Sequence, residues 1–114
     1  MPKKMGVWRE RCTATADATT YTHYSDYVPE GEWWYLQRVS ILNDTTASAD
    51  CLISIDCGTH KHPLYYFANV TQNIENSQAI ECWLRPGERL QFDWTGIVST
   101  ERLYVHVTGH KQRD

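Results

Sequence analysis

Apolar side chains recur at every second position over most of the chain. Leu103, Val105 and Val107 alternate with Tyr104, His106 and Thr108 and stop at Gly109; Leu90, Phe92 and Trp94 alternate with Gln91, Asp93 and Thr95 and stop at Gly96. Ile80, Cys82 and Leu84 alternate with Glu81, Trp83 and Arg85. A period of two is that of a half-buried strand. Between the last two runs, Arg85-Pro86-Gly87-Glu88 carries Pro-Gly at the central positions of a type II turn, which predicts a hairpin there. Upstream, 32–43 reads as a long strand rich in Trp33, Trp34, Tyr35, Val39 and Ile41, closed by Asn43-Asp44, and 49–57 reads as another. Residues 58–63 are expected as a loop, 64–68 as a short strand and the polar run 69–78 as a loop. Residues 13–27 are extended in propensity, rich in Thr and Tyr, without clean alternation.

Seven or eight short strands at turn-marked intervals predict an all-β chain: a single-domain antiparallel β-sandwich of jelly-roll or related Greek-key type, with a closed small barrel as the competing architecture. Residues 1–27 are expected as an N-terminal arm and first extended segment, 28–110 as the sandwich and 111–114 as a tail. Pro29-Glu30-Gly31-Glu32 before Trp33 echoes Pro86-Gly87-Glu88 before Leu90, as two equivalent sheet corners would.

At 114 residues the chain is one domain and buries about two-thirds of its unfolded surface without help from metal or disulfide. Hydrophobic residues at 41% and charged residues at 22% exclude a disordered chain, and no apolar run is long enough to span a membrane. No apolar stretch follows Lys3 and Lys4, so no secretory signal is expected and the chain reads as soluble and made in a cytoplasm. The net charge of −3 conceals basic ends and an acidic body: Lys3, Lys4, Arg9 and Arg11 face only Glu10 in the first eleven residues. Such a distribution excludes a broad nucleic-acid-binding face, which needs a continuous positive stripe. The basic N-terminal residues suit an acidic neighbour instead.

Catalytic chemistry finds little support. His60 and His62, at i and i+2, are the low-prior metal candidates, but a nitrogen-ligand site needs three or four convergent groups and no third can be named. They read as loop histidines, and neither a metal nor a cofactor is expected. No serine lies in a nucleophile elbow, and there is no phosphate-binding glycine loop. Cys51 and Cys57, on one strand, lie too far apart to bridge, and the absence of any C-x-x-C pair argues for reduced thiols.

The aromatic load needs a different account. Five tryptophans and seven tyrosines are too many for one small interior. Trp33 and Trp34 must point to opposite faces, and Trp83 and Tyr104 have outward parity. Trp33, Trp34, Trp83 and Tyr104, with Lys3, Lys4, Arg9 and Arg11, are therefore the candidate interface, because tryptophan and tyrosine are enriched where subunits meet.

The stretch from Val28-Pro29-Glu30-Gly31-Glu32-Trp33-Trp34-Tyr35-Leu36 to Asn43, then Ile53-Ser54-Ile55, then Trp83-Leu84-Arg85-Pro86-Gly87-Glu88-Arg89-Leu90 and Leu103 to Gly109 resembles small β-sandwich virion proteins of tailed bacteriophages. The resemblance covers residues 28–109. It implies a non-enzymatic structural protein, assembled in a host cytoplasm into a virion, that decorates or cements a capsid as a homo-oligomer or against the major capsid protein and other virion subunits. A neck or tail position is the nearest alternative, and a carbohydrate-binding module using Trp33 or Trp34 with Trp83 is the alternative of a different class.

Overall fold

A computed structural model describes residues 3–113, with side chains from residue 6 onward. Eight strands are present: β1 (Lys3–Thr15), β2 (Thr20–Tyr24), β3 (Glu32–Asn43), β4 (Ala49–Asp56), β5 (Lys61–Val70), β6 (Asn76–Leu84), β7 (Arg89–Thr95) and β8 (Arg102–Arg113). They form two four-stranded antiparallel sheets, the first ordered β1-β8-β3-β6 and the second β2-β7-β4-β5. This is jelly-roll order. Only β4 and β5 are consecutive strands that pair with each other; every other connection crosses between the sheets.

The alternation read from the sequence sets the inner faces. Leu103, Val105 and Val107 of β8 and Leu90, Phe92 and Trp94 of β7 are all buried, as are Cys51, Ile53 and Ile55 of β4. In β3 the inward set shifts from Trp34 and Leu36 to Val39, Ile41 and Asn43, because the register slips between Leu36 and Arg38. That bulge keeps one long strand apolar on its inner side through a change of parity.

Residues 3–24 are not a separate arm, as the sequence suggested. β1 pairs with β8 along its whole length and β2 pairs with β7, so this segment supplies one edge of each sheet. Trp8 anchors it, fully buried, with its ring 5.0 Å from that of Trp34 and its Nε1 donating to Glu10 Oε1 at 2.7 Å. Nor does the Pro-Gly turn close a hairpin: Gly87 has φ 85° and Glu88 N–H donates to Arg85 O, as a type II turn requires, but the turn carries the chain from β6 in one sheet to β7 in the other. It packs beside the equivalent corner before β3, where Val28 N–H donates to Glu88 O at 2.9 Å and Gly87 N–H to Val28 O at 2.8 Å. The expected loop 69–78 is shorter, since β6 begins at Asn76, with Ser77 exposed and Asn76 and Gln78 half-buried opposite Ile41 and Val39. β5 is longer than expected and includes Pro63, tolerated because β5 is an edge strand with a register shift there.

Glu101 closes the end of the sandwich. Completely buried, it accepts bonds from Asn43 Nδ2, from the backbone N–H of Thr45, Thr46 and Val98, and from the Thr46 hydroxyl. Burial pushes its carboxyl up, but these bonds outweigh burial and hold it below the usual carboxylate range. His23 is the opposite case: buried, with Nε2 unpartnered among the described residues, it is lowered by desolvation from 6.5 to about 4.

Two outcomes are expected. A Cβ at Gly109 would lie 1.9 Å from the Tyr35 carbonyl oxygen and 3.2 Å from the Trp8 ring. Gly109→Ala is thus expected to cost about 1–3 kcal/mol by urea unfolding, with neutrality as the contrary result. Acidification acts through both titrating groups. His23 is neutral when folded and protonates more readily when unfolded, so its contribution is lost as pH falls from 6.5 towards 4. The contribution of Glu101 is present above its unfolded value and lost as pH falls through its lower folded one. The urea midpoint should fall progressively below pH 6.5, and His23→Gln should flatten the upper part of that fall; a midpoint constant from pH 7 to 4 contradicts this.

Candidate functional site

The outer face of the first sheet carries Trp33, Tyr35, Trp83 and Tyr104, while the exposed Tyr24, Tyr27, Tyr65 and Tyr66 lie on or beside the second. With Trp34 turned inward, Trp33 and Tyr35 project from the other side of β3. Register then aligns one row across all four strands: Val7 opposite His110, His110 opposite Tyr35, and Tyr35 opposite Trp83. The Tyr35 ring lies 4.9 Å from Trp83 and 5.1 Å from His110, and Trp83 meets His110 edge-on at 5.7 Å. Val7 is 67% exposed and Trp83 42% exposed, so both ends of the row are open. Desolvation, with the charge of Glu81 adding to it, pushes the Tyr35 phenol up.

The face continues along the strands. Arg9 and Arg38 flank Thr108, and Arg11 and Ser40 flank His106. Tyr104, half-buried, sits between Thr13 and Leu42. Here a shallow cavity of about 210 Å³ opens between Arg11, Leu42, Glu75, Tyr104 and His106. Ser40 Oγ donates to Ser77 Oγ at 3.1 Å and Arg38 Nη1 donates to the same atom at 2.8 Å, so the serine hydroxyl there is committed to a structural bond and not to a histidine.

The outer face of the second sheet satisfies its own groups. Asp93 accepts bonds from Thr22, Gln91 and Lys61, and Arg89 pairs with Asp56 at 2.9 Å while lying 3.6 Å from the Tyr24 ring centre and 4.4 Å from that of Tyr27. Those exposed tyrosines thus have an internal cationic partner.

The residues singled out from sequence divide accordingly. Trp33, Trp83, Tyr104, Arg9 and Arg11 lie on the outer face of the first sheet. Trp34 does not: 3% exposed, it packs on Trp8, donates from Nε1 to Glu32 Oε1 at 2.9 Å and carries the Lys111 ammonium 4.2 Å from its ring centre. Lys3 and Lys4 are in β1, but their side chains fall outside the described residues. His60 precedes β5 and His62 lies near its start, both exposed; among the described residues no group of three or more His, Cys, Asp or Glu is placed to hold a metal. All four cysteines are unpaired, and Cys12 and Cys82 lie on opposite edge strands of the first sheet. Desolvation pushes the Cys82 thiol up to about 11. Sequence reasoning missed Val7, Tyr35 and His110. Tyr35 follows from its parity once Trp34 is placed inward, and His110 from letting the last strand run beyond Gly109.

No protein-family model matches the sequence, and no curated protein matches it. Solved structures share its fold. The chain is similar to the subunit of Bacillus endospore appendages, described as a novel family of disulfide-linked pili, at TM-score 0.61 and 13% identity over 99% of this chain and 89% of that one. A chain of infectious bursal disease virus, strain Gx, aligns at TM-score 0.53 and 6% identity over 98% of this chain, which spans 32% of the viral one. A family 29 carbohydrate-binding module, solved with mannohexaose, aligns at TM-score 0.53 and 10% identity over 96% of this chain and 80% of that one. At these identities the likeness is one of fold. The neighbours are structural or binding proteins of the same all-β class.

The division between inward and outward rings is testable by unfolding. Trp34→Ala should cost about 3–5 kcal/mol, as for a buried tryptophan, and Trp83→Ala about 1 kcal/mol, the worth of an exposed ring pair. Equal costs would contradict the placement.

Proposed function

We propose that the chain is a non-enzymatic structural subunit of a virion, of the kind that decorates or cements a phage capsid, and that it is held in its particle by the outer face of the first sheet. The observation that carries this reading is the row Val7, His110, Tyr35 and Trp83, which crosses every strand of one sheet and is open at both ends. Rings arranged this way bury large area at low entropic cost when a neighbour covers them. The pilus and viral neighbours support the class, since both are particles built from repeated chains. Arg9 and Arg11 beside the row supply charge for an acidic partner surface. A neck or tail position uses the same face.

A second reading, carbohydrate binding, is favoured by the open Trp83 ring beside Tyr35, with Trp33 on the same face and Trp34 removed from it. Mannose- or glucose-based oligosaccharides should then change the tryptophan emission; an unchanged spectrum retires that reading.

Sedimentation velocity tests the main one. The wild-type chain is expected to form multimers that grow with concentration, and Tyr35→Ala/Trp83→Ala to remain at 13.3 kDa with its fold intact by circular dichroism. A wild-type chain that stays monomeric at every concentration would overturn it.

A further inference from the structure

Resting on the structural-subunit reading, we infer that the partner is a second copy of the chain joined head to tail, with β1 of one copy lying against β6 of the next so that the first sheet continues from copy to copy. β1 and β6 are the edges of that sheet, each paired on one side only. Because all its neighbours are antiparallel and the strands number four, β1 and β6 run in opposite directions. A copy placed beside the first in the same orientation therefore brings β6 antiparallel to β1 and preserves the alternation of inner and outer side chains.

The side chains on the two edges fit each other in that register. Val7 and Trp83 terminate the same row, so an unsheared neighbour sets the 67% exposed valine beside the 42% exposed indole. Arg9 lies in the row that ends at Ala79, and Arg11 in the row that ends at Ser77. Glu81 and Glu75 are one outward position away on the facing edge, a diagonal distance that an arginine spans. All four charged residues are exposed, none makes an ion pair within the chain among the described residues, and β6 carries no basic residue.

Charge also selects the mode of contact. A two-fold pairing of β1 with β1 would oppose arginines to arginines, and of β6 with β6 glutamates to glutamates; only the heterologous contact joins opposite signs. The second sheet offers no equivalent, because β2 has five residues and β5 is interrupted by Pro63 and two register shifts. The bulge between Lys4 and Gly6 confines the pairing on β1 to the segment from Val7 onward. Such a contact generates a ring when its rotation closes and an open filament when it does not.

Two charge-reversed chains test the inference by sedimentation velocity, with circular dichroism confirming that each folds. Arg9→Glu/Arg11→Glu has two acidic edges and Glu75→Arg/Glu81→Arg two basic ones. At a concentration where the wild type assembles, each alone is expected to lose the multimer, and an equimolar mixture to regain it as an alternating polymer. Assembly of each reversed chain like the wild type, or loss in both without recovery on mixing, overturns the head-to-tail contact and leaves the subunit reading standing. A monomeric wild type overturns both.

Discussion

The packing of Trp8 against Trp34 beside the bare Gly109 backbone decides which side of the first sheet each aromatic occupies. Both indoles are buried, and each donates to a carboxylate two residues away on its own strand, Glu10 for Trp8 and Glu32 for Trp34. With Trp34 committed inward, the pleat leaves Trp33 and Tyr35 no choice but to face out. Gly109 is the third partner: it sits opposite Trp8 and Leu36 on the central strand, where any side chain would meet the Tyr35 carbonyl. The same contact ties β1 to the domain, so the row on the outer face depends on an inner-face arrangement.

The two outer faces are chemically unequal, and the proposed function rests on that inequality. On the second sheet, carboxylates, hydroxyls and an arginine satisfy one another, and two tyrosines clasp that arginine. On the first, Tyr35, Trp83 and His110 pack on one another, and Arg9 and Arg11 of β1 make no ion pair among the described residues. A surface satisfied internally has little to gain from a partner. A row of partly exposed rings with unmatched charge beside it gains apolar burial and charge pairing together.

Much of this was legible in the amino-acid order. The alternation in β6, β7 and β8 is clean enough to give strand and face from residue types alone, and two sheets follow from the number of such runs. The outward parity of Trp83 and Tyr104 was equally readable. What failed to show was pairing at a distance. β1 looked like an arm because its inward positions after Trp8 are Glu10, Cys12 and Ala14, small or polar residues that an edge strand accommodates and a periodicity scan discounts. The Pro-Gly corner read as a hairpin because local turn chemistry is the same whether the next strand joins its own sheet or the opposite one. Trp33 and Trp34 could not be told apart by sequence, since the choice rests on the bulge at Gln37 and the space over Gly109.

The proposed contact, in which other copies meet the first sheet at the Val7 and Trp83 ends of its aromatic row, is tested most directly by electron cryo-microscopy of the assembly formed by the purified chain. The account predicts density for a neighbouring copy against Val7 and Trp83, with the Tyr24 and Tyr27 side of the second sheet turned to solvent. A reconstruction with Val7 and Trp83 open to solvent and the second sheet at the contacts would contradict it.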